Sequence, residues 1–450
     1  MNSLAINDSI LLTVKRLGIN GEGIGYYKKL AVFIPQGIPG EIVEVKIVEV
    51  KDKYAIGEIT KIKKSSPARV KPVCPYFGKC GGCTLQHISY PMQLNEKLNI
   101  VIESFNRYYD GDVSKIKFNA PMGAKNIYGY RNKTSLPLRF DGEKVVSGLY
   151  ALDTNKLVYV DKCVLENKIV QDTLKLVLDY LTKNKASIYN PHLHQGIIRE
   201  VVIRGFEESD EVQVTFILTK EDKQTIEYLK KLPVTSVNYS VNSDFKAVDI
   251  FGPKVINLSG KEKIRGKLND LSFDISPKAF FQLNIEQTKV LYERIRDLAN
   301  LDGTQNVIDC YCGIGTIGMW LAPFAKEVRG IDINKDGIND ANSFAEANGI
   351  KNAKFYSGNV LPHLNQFKEK GFLPDILIVD PPRKGLDLNL IHYLQKGEMK
   401  KIIYVSCNPS TLVKNINHLN KVYKIESVDT IDLFSFTSHV ECIVTLSLKH

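Results

Sequence analysis

Hydrophobic positions change their period along this 450-residue chain, and each change marks a different architecture. Between residues 8 and 62, short apolar runs are broken by turn residues: Ile10–Val14, a bend containing Gly18, Gly21, Gly23 and Gly25, Ala31–Ile34, Pro39-Gly40, Glu41–Val50 and Tyr54–Ile62. Strands of that spacing predict a small β-barrel. Leu94, Leu98, Val101 and Ile102 then recur at helical intervals and predict a helix over 91–108. From 128 to 250 the pattern is mostly strand-like, with Thr134–Phe140, an Asp141-Gly142 turn and Lys144–Tyr150 forming a hairpin, and a helix over 166–183.

After Gly260, apolar strands alternate with helices. Helix 285–299, strand Asn306–Asp309, helix 316–325, strand Glu327–Ile331, helix 335–348, strands Ala353–Ser357 and Asp375–Asp380, helix 387–396 and strand Lys401–Ser406 follow in turn. That alternation predicts a doubly wound parallel sheet, with Tyr423–Leu433 and His439–Leu448 appended as two antiparallel strands. The chain is too long for one core, and the expected architecture is multidomain: a small β-barrel at 1–65, a central α+β domain at 66–260 and an α/β Rossmann-like domain at 261–450.

Composition narrows the partners. A formal net charge of +10 favours a polyanion, and basic residues crowd the barrel edge from Lys46 to Lys71, Arg69 among them. No stretch reaches the roughly 20 apolar residues of a membrane span, and the first residues lack the pattern of a signal peptide, so a cytoplasmic protein without a membrane partner is expected. The eight cysteines are too sparse for a disulfide scaffold. Cys74, Cys80 and Cys83 share one short glycine-containing loop, and Cys163 offers a fourth thiolate. Four soft ligands suit zinc or a 4Fe–4S cluster, and spacing does not separate the two.

The strand Val307-Ile308-Asp309 runs into Gly313, Gly315 and Gly318, a G-x-G-x-x-G turn leading into a helix. That pattern serves nicotinamide dinucleotides as well as S-adenosylmethionine. Asp309 favours the second, because a carboxylate beside the turn suits a cationic methionine group and would repel a pyrophosphate. Asp332 ends the next strand where it can accept from ribose hydroxyls, and Asp380-Pro381-Pro382-Arg383-Lys384-Gly385 ends a later one.

Cys407 closes the run Lys401–Ser406 at a strand end, with Asn408 and Pro409 shaping the turn after it. A thiol there can be a nucleophile or a small core residue. Methylating a carbon that has no lone pair, such as carbon 5 of a pyrimidine, calls for both a nucleophile that adds at carbon 6 and a base that removes the carbon 5 proton. Glu441 and His439 both qualify as the base, since alternation would put them on one face. Cys442 points the other way.

With these motifs the chain resembles the bacterial uracil-C5 RNA methyltransferases, in particular those that modify 23S ribosomal RNA and carry an N-terminal, OB-like TRAM barrel and an iron–sulfur cluster. The resemblance implies Cys407 as nucleophile, Glu441 as base and Asp380 near the uracil. It implies S-adenosylmethionine contacts at Gln282, Tyr311, Thr316, Asp332, Asn359 and Asp380, alongside the turn glycines Gly313 and Gly315. It favours a 4Fe–4S cluster on Cys74, Cys80, Cys83 and Cys163, with zinc as the alternative.

The same resemblance places Phe280 and Gln282 beside the target base. Arg131 and Lys133, in the aromatic and basic run Tyr128–Lys133, are further RNA candidates, and Lys79, Gln86, His87 and Arg69 offer donors around the cysteine loop. The uridine would be unpaired or flipped out. Asp332 and Asn359 depart from the family's usual glutamate and aspartate, as does Lys414-Asn415 from Arg-Asp. The expected partner is 23S ribosomal RNA, bound by a monomer. Transfer RNA bearing a T-loop uridine is the alternative substrate, and a noncatalytic RNA-binding or ribosome-assembly protein is the alternative class.

Overall fold

Alternation in the first 64 residues is resolved as a six-stranded sheet in the order Ser9–Thr13, Ile42–Val50, Tyr54–Lys64, Leu30–Ile34, Gly23–Tyr27, Arg16–Leu17. The chain leaving the first strand returns to it: Lys15 N–H donates to Ile24 O at 2.8 Å and Val14 N–H to Glu41 O at 2.9 Å. Leu12, Val14, Val32, Ile34, Val43, Val45, Ile47 and Ala55 fill the interior. The computed structural model describes residues 4–449 except 153, 246 and 248. By internal packing the chain divides into two compact units, one of Met1–Lys125, Asp297–Asn300 and Leu373–His450, the other of Asn126–Arg296 and Leu301–Phe372.

In the first unit the barrel is continued by the cysteine loop and the helix Tyr90–Tyr108, then by four strands ordered Ile376–Val379, Lys401–Ser406, Glu441–Leu448, Tyr423–Ile431. The first two strands are parallel, and the last two antiparallel to their neighbours. The helix Tyr90–Tyr108 packs against the helix Pro409–Leu419. Its Lys97 reaches Asp432, with Nζ 2.5 Å from Oδ1, the two side chains being 2% and 1% exposed. Tyr90 Oη donates to the other Asp432 oxygen at 2.7 Å, Ser435 Oγ donates to it at 2.8 Å, and Lys97 Nζ also reaches Phe434 O at 3.0 Å.

The second unit holds a seven-stranded sheet ordered Val255–Gly260, Ser236–Val241, Glu211–Leu218, Ile198–Phe206, Lys133–Phe140, Val145–Tyr150, Leu157–Tyr159. The helix Lys168–Lys183 lays Val170, Leu174, Val177 and Leu181 on it, against Val201, Ile203, Val214 and Phe216. The same unit carries the hairpin Ile264–Leu268 and Leu271–Ile275, and three parallel strands ordered Ala353–Ser357, Glu327–Asp332, Asn306–Cys310. With their helices these strands form a parallel α/β arrangement, as the alternation predicted. Among the described residues no helix is long and apolar enough to cross a membrane.

Helix Ile285–Ala299 and strand Ala353–Ser357 fall where periodicity places them. Three α-helices go beyond it among the described residues, Lys223–Leu229, Val360–Glu369 and Pro409–Leu419. A proline resembles a breaker, yet Pro409 occupies the first turn, where its missing N–H has no intrahelical partner to lose, and Asn408 Oδ1 accepts from Thr411 N–H at 3.4 Å. Removing one member of the buried Lys97–Asp432 pair strands the other charge. Lys97→Ala is therefore expected to cost about 3–5 kcal/mol in urea unfolding, and Lys97→Met combined with Asp432→Leu much less.

Candidate active site

Cys407 leaves the strand Lys401–Ser406 at its C-terminal end, partly exposed and directly before the N-cap of the next helix. The register that pairs Ser406 with Cys442 sets Cys407 across from Glu441, the first residue of the last strand. Burial raises the Cys407 thiol above its ordinary range. The Glu441 carboxylate raises it further, whereas a hydrogen bond and the positive charge of Arg383 pull it back, and Asp380 adds a smaller upward push. Asn408 Nδ2 and Thr411 Oγ1 donate to Arg383 O at 3.1 and 3.0 Å, so the helix cap that presents Cys407 also anchors the arginine turn.

Glu441 is buried, and burial followed by repulsion from Asp380 drives its carboxyl well above the usual range. Desolvation raises Asp380 to about 7. Two acids and a thiol that disfavour charging together are the conditions under which one carboxylate can hold a proton while another takes one. His439 lies in the loop before the strand, exposed, so strand alternation never applies to it. Cys442 is fully buried in the core.

Sequence places Arg383 in the strand-end turn without a role, and the structure sets its cation beside Cys407. Its signal was a cation three positions past the strand-end Asp380. Gly385 closes that turn at φ 78°, its N–H donating to Pro382 O at 2.8 Å. Asn415 Oδ1 accepts from Tyr404 Oη at 2.8 Å and from Leu386 N–H at 2.9 Å, contacts an aspartate oxygen would make as well, which accounts for asparagine at this position.

In the second unit the glycine turn is a cradle. Asp309 is buried, and its Oδ2 accepts from Gly318 N–H at 2.8 Å. Tyr311, Gly313 and Gly315 all have left-handed φ, of 63°, 57° and 77°. A Cβ on Gly315 would meet the Phe355 ring at 2.4 Å, whereas one on Gly313 would meet nothing within 4 Å, so the loop is packed from behind and open in front. Asp332 turns its carboxylate to Gly313 N–H at 2.9 Å and Asn334 N–H at 2.8 Å, and Thr316 Oγ1 lies 2.7 Å from Tyr292 Oη. Asn359 caps the helix Val360–Glu369 without a side-chain cap bond. The Gln282 carbonyl accepts from Asn132 Nδ2 at 2.8 Å. An open left-handed turn flanked by Asp332 and Asn359 fits an adenosine cofactor; Asp380 belongs to the other unit.

Several expected RNA donors are otherwise engaged. Arg69 clamps the buried Glu41 carboxylate through two 2.7 Å bonds, holding that acid below its ordinary range despite burial. Gln86 and His87 are buried. Gln86 accepts from Cys74 N–H at 3.1 Å, and burial lowers His87 to about 4. Burial takes the Gln86 amide and the His87 ring off the surface on which an RNA would be met. Phe280, by contrast, is 71% exposed. Arg131 lies partly buried near Glu166, whose carboxyl burial raises, and Lys133 is partly buried too.

Of the cysteine ligand candidates, Cys80 accepts from Gly82 N–H at 3.3 Å, and its thiol is raised by burial and by neighbouring Cys74. Cys163, in the second unit, is raised to about 11, chiefly by burial. Among the described residues, no group of three or more His, Cys, Asp or Glu is gathered in a metal-holding arrangement. The loop thiols are soft donors that fit a metal chemically, without a preformed cage.

An α/β methyltransferase fold, a glycine cradle and an N-terminal barrel define an S-adenosylmethionine-dependent RNA methyltransferase. The family model for tRNA (uracil-5-)-methyltransferase matches residues 257–449, and that for the TRAM domain residues 6–60. The chain is 41% identical over its whole length to an "uncharacterized RNA methyltransferase" of Bacillus anthracis, covering 98% of that protein, and 41% identical to one of Listeria monocytogenes, covering 97% of each. It is similar to the crystal structure of Pyrococcus abyssi tRNA (uracil-54, C5)-methyltransferase in complex with S-adenosyl-L-homocysteine, with a TM-score of 0.75, 28% identity, and coverage of 97% of this chain and 100% of that one. The chain belongs to the RNA (uracil-5-)-methyltransferase family and carries a TRAM domain.

The charges around Cys407 predict opposite effects on its reactivity. Arg383→Met is expected to raise the pH at which iodoacetamide alkylates Cys407, since a cation that favours the thiolate is lost. Glu441→Gln is expected to lower it, since a repelling carboxylate is lost. Mass spectrometry of the alkylated peptide across a pH series reads both shifts.

Proposed function

We propose that this protein methylates carbon 5 of a uridine in 23S ribosomal RNA, with Cys407 as nucleophile and Glu441 as base. The observation that carries the reading is the placement of Cys407 across from Glu441, with Arg383 and Asp380 acting on the same thiol. S-adenosylmethionine supplies an electrophilic methyl group when bound, and Gln282, Tyr311, Gly313, Gly315, Thr316, Asp332, Asn359 and Asp380 are assigned to hold it.

The Cys407 thiolate, favoured by Arg383, adds to carbon 6 of the uracil and gives carbon 5 the electron density to become a nucleophile. Once carbon 5 carries its methyl group, the Glu441 carboxylate takes the proton there, and the electrons of that bond expel Cys407 as thiolate. Asp380 repels the Glu441 charge and so raises its affinity for that proton, and it is assigned a place near the uracil. Phe280, with its exposed ring, and Gln282 are assigned to the base, and Arg131 and Lys133 to the RNA around it.

The ribosomal reading rests on the combination of barrel and cysteine loop, in a protein divided into a barrel at 1–65, a central domain at 66–260 and a methyltransferase domain at 261–450. Within it Cys74, Cys80, Cys83 and Cys163 bind a 4Fe–4S cluster as a structural clasp, and the protein acts as a cytoplasmic monomer. Transfer RNA is the second reading, favoured by the likeness to the Pyrococcus abyssi tRNA enzyme.

Mapping 5-methyluridine by mass spectrometry after deleting the gene separates the two: loss from 23S RNA with transfer RNA intact supports the first, and the reverse outcome replaces it. Cys407→Ala is expected to lower methyl transfer by at least about a thousandfold. Glu441→Gln is expected to accumulate a covalent protein–RNA adduct visible on a denaturing gel, and turnover at the normal rate by either variant would remove its role. Protein isolated without oxygen is expected to be brown with broad absorbance near roughly 400 nm; a colourless protein with stoichiometric zinc would overturn the cluster.

A further inference from the structure

In the second unit, Lys133 and Arg204 are direct partners in the antiparallel ladder between Lys133–Phe140 and Ile198–Phe206. Like charges at directly opposed positions repel, and burial sharpens the cost. Arg204 is buried, and its guanidinium is spent on the backbone: Nη1 donates to Ser276 O at 3.2 Å and Nη2 to Ala279 O at 2.7 Å, while Nε has no hydrogen-bond partner among the described residues. Those carbonyls bracket Lys278, whose ammonium donates to Gly252 O at 2.8 Å and lies 6.0 Å from the centroid of the Phe251 ring. The Lys133 ammonium lies 5.9 Å from the same centroid.

Three cations from three segments thus gather about one ring and one loop. No carboxylate lies within ion-pairing distance of any of them among the described residues. Asp249, the acidic group whose field reaches Lys133, already accepts from Phe251 N–H at 3.0 Å. Burial and the neighbouring Arg204 lower Lys133 to about 8, so it still carries its proton at neutral pH and gains from any anion brought beside it.

We propose that Lys133 and Lys278, backed by the fixed charge of Arg204, form a seat for a backbone phosphate of the RNA substrate. Arg204 stays inside, holding the Ser276–Ala279 loop that leads to the exposed Phe280. Phosphate capture and presentation of the aromatic ring are thereby tied to one short segment. A phosphodiester suits this seat because it is a compact, permanently charged anion whose oxygens accept from ammonium groups. The inference rests on the RNA-methyltransferase reading and adds the part of the RNA that these residues grip.

The test is the salt dependence of binding between the full-length protein and a short labelled single-stranded RNA containing uridine, measured by fluorescence anisotropy. Lys133→Met keeps the apolar stem beside Phe251 and removes the charge. It is expected to weaken binding about fivefold and to reduce the slope of log K against log salt by about 0.7, the loss of one phosphate contact on a single strand. Lys278→Ala is expected to act in the same direction, and affinity for S-adenosylmethionine, measured by calorimetry, to stay at the wild-type value in both. An unchanged slope in Lys133→Met with normal cofactor affinity would overturn the phosphate seat and leave the methyltransferase reading standing. Failure of the wild-type protein to bind this RNA would likewise overturn the phosphate seat, whereas loss of methyl transfer to cellular RNA would count against the methyltransferase reading.

Discussion

A single buried ion pair, Lys97 with Asp432, fixes how the first unit is built. Its members are 335 residues apart in sequence, and both are almost wholly withdrawn from water. Burial lowers the Lys97 ammonium while Asp432 acts to raise it, so the ammonium depends on that carboxylate. Tyr90, Ser435 and the Phe434 carbonyl lie in the same shell, and Lys97, Tyr90 and Ser435 all donate to the carboxylate.

The consequence runs along the chain in both directions. From Asp432 the segment is pinned again at Phe436, whose N–H donates to Gln93 Oε1 at 3.0 Å and whose carbonyl accepts from Thr84 and Leu85 N–H at 3.0 and 2.9 Å. Phe436 takes a left-handed φ of 66°, and Ser438 N–H donates to Thr84 Oγ1 at 3.1 Å. Three residues later Glu441 opens the last strand. The residues directly after the cysteine loop therefore hold the approach to Glu441.

Charge economy distinguishes the two units. Around Cys407 the structure sets Arg383 against Glu441 and Asp380, so small changes of protonation alter which group is charged. Around Arg204 it leaves cations facing one another, an arrangement that suits a polyanionic partner. In the proposed reading the first arrangement tunes the nucleophile and the second grips the RNA backbone.

Sequence by itself determined the elements whose signal is local. Period-two alternation marked the barrel, helical spacing marked Tyr90–Tyr108, and glycines after Asp309 marked a cofactor turn leading into a helix, because each depends on residues a few positions apart. The thiol at a strand end and the acid opening the last strand were legible for the same reason, although alternation could not choose between His439 and Glu441. Tertiary structure sets the two apart by starting the strand after His439 and burying Glu441. It also turned Arg69 toward Glu41, placed Gln86 and His87 in the core, brought Arg383 to Cys407 and opposed Lys133 to Arg204. Each of those outcomes depends on strand register or on partners tens of residues away, and a charge's role is set by what faces it across space, which its neighbours in sequence do not encode.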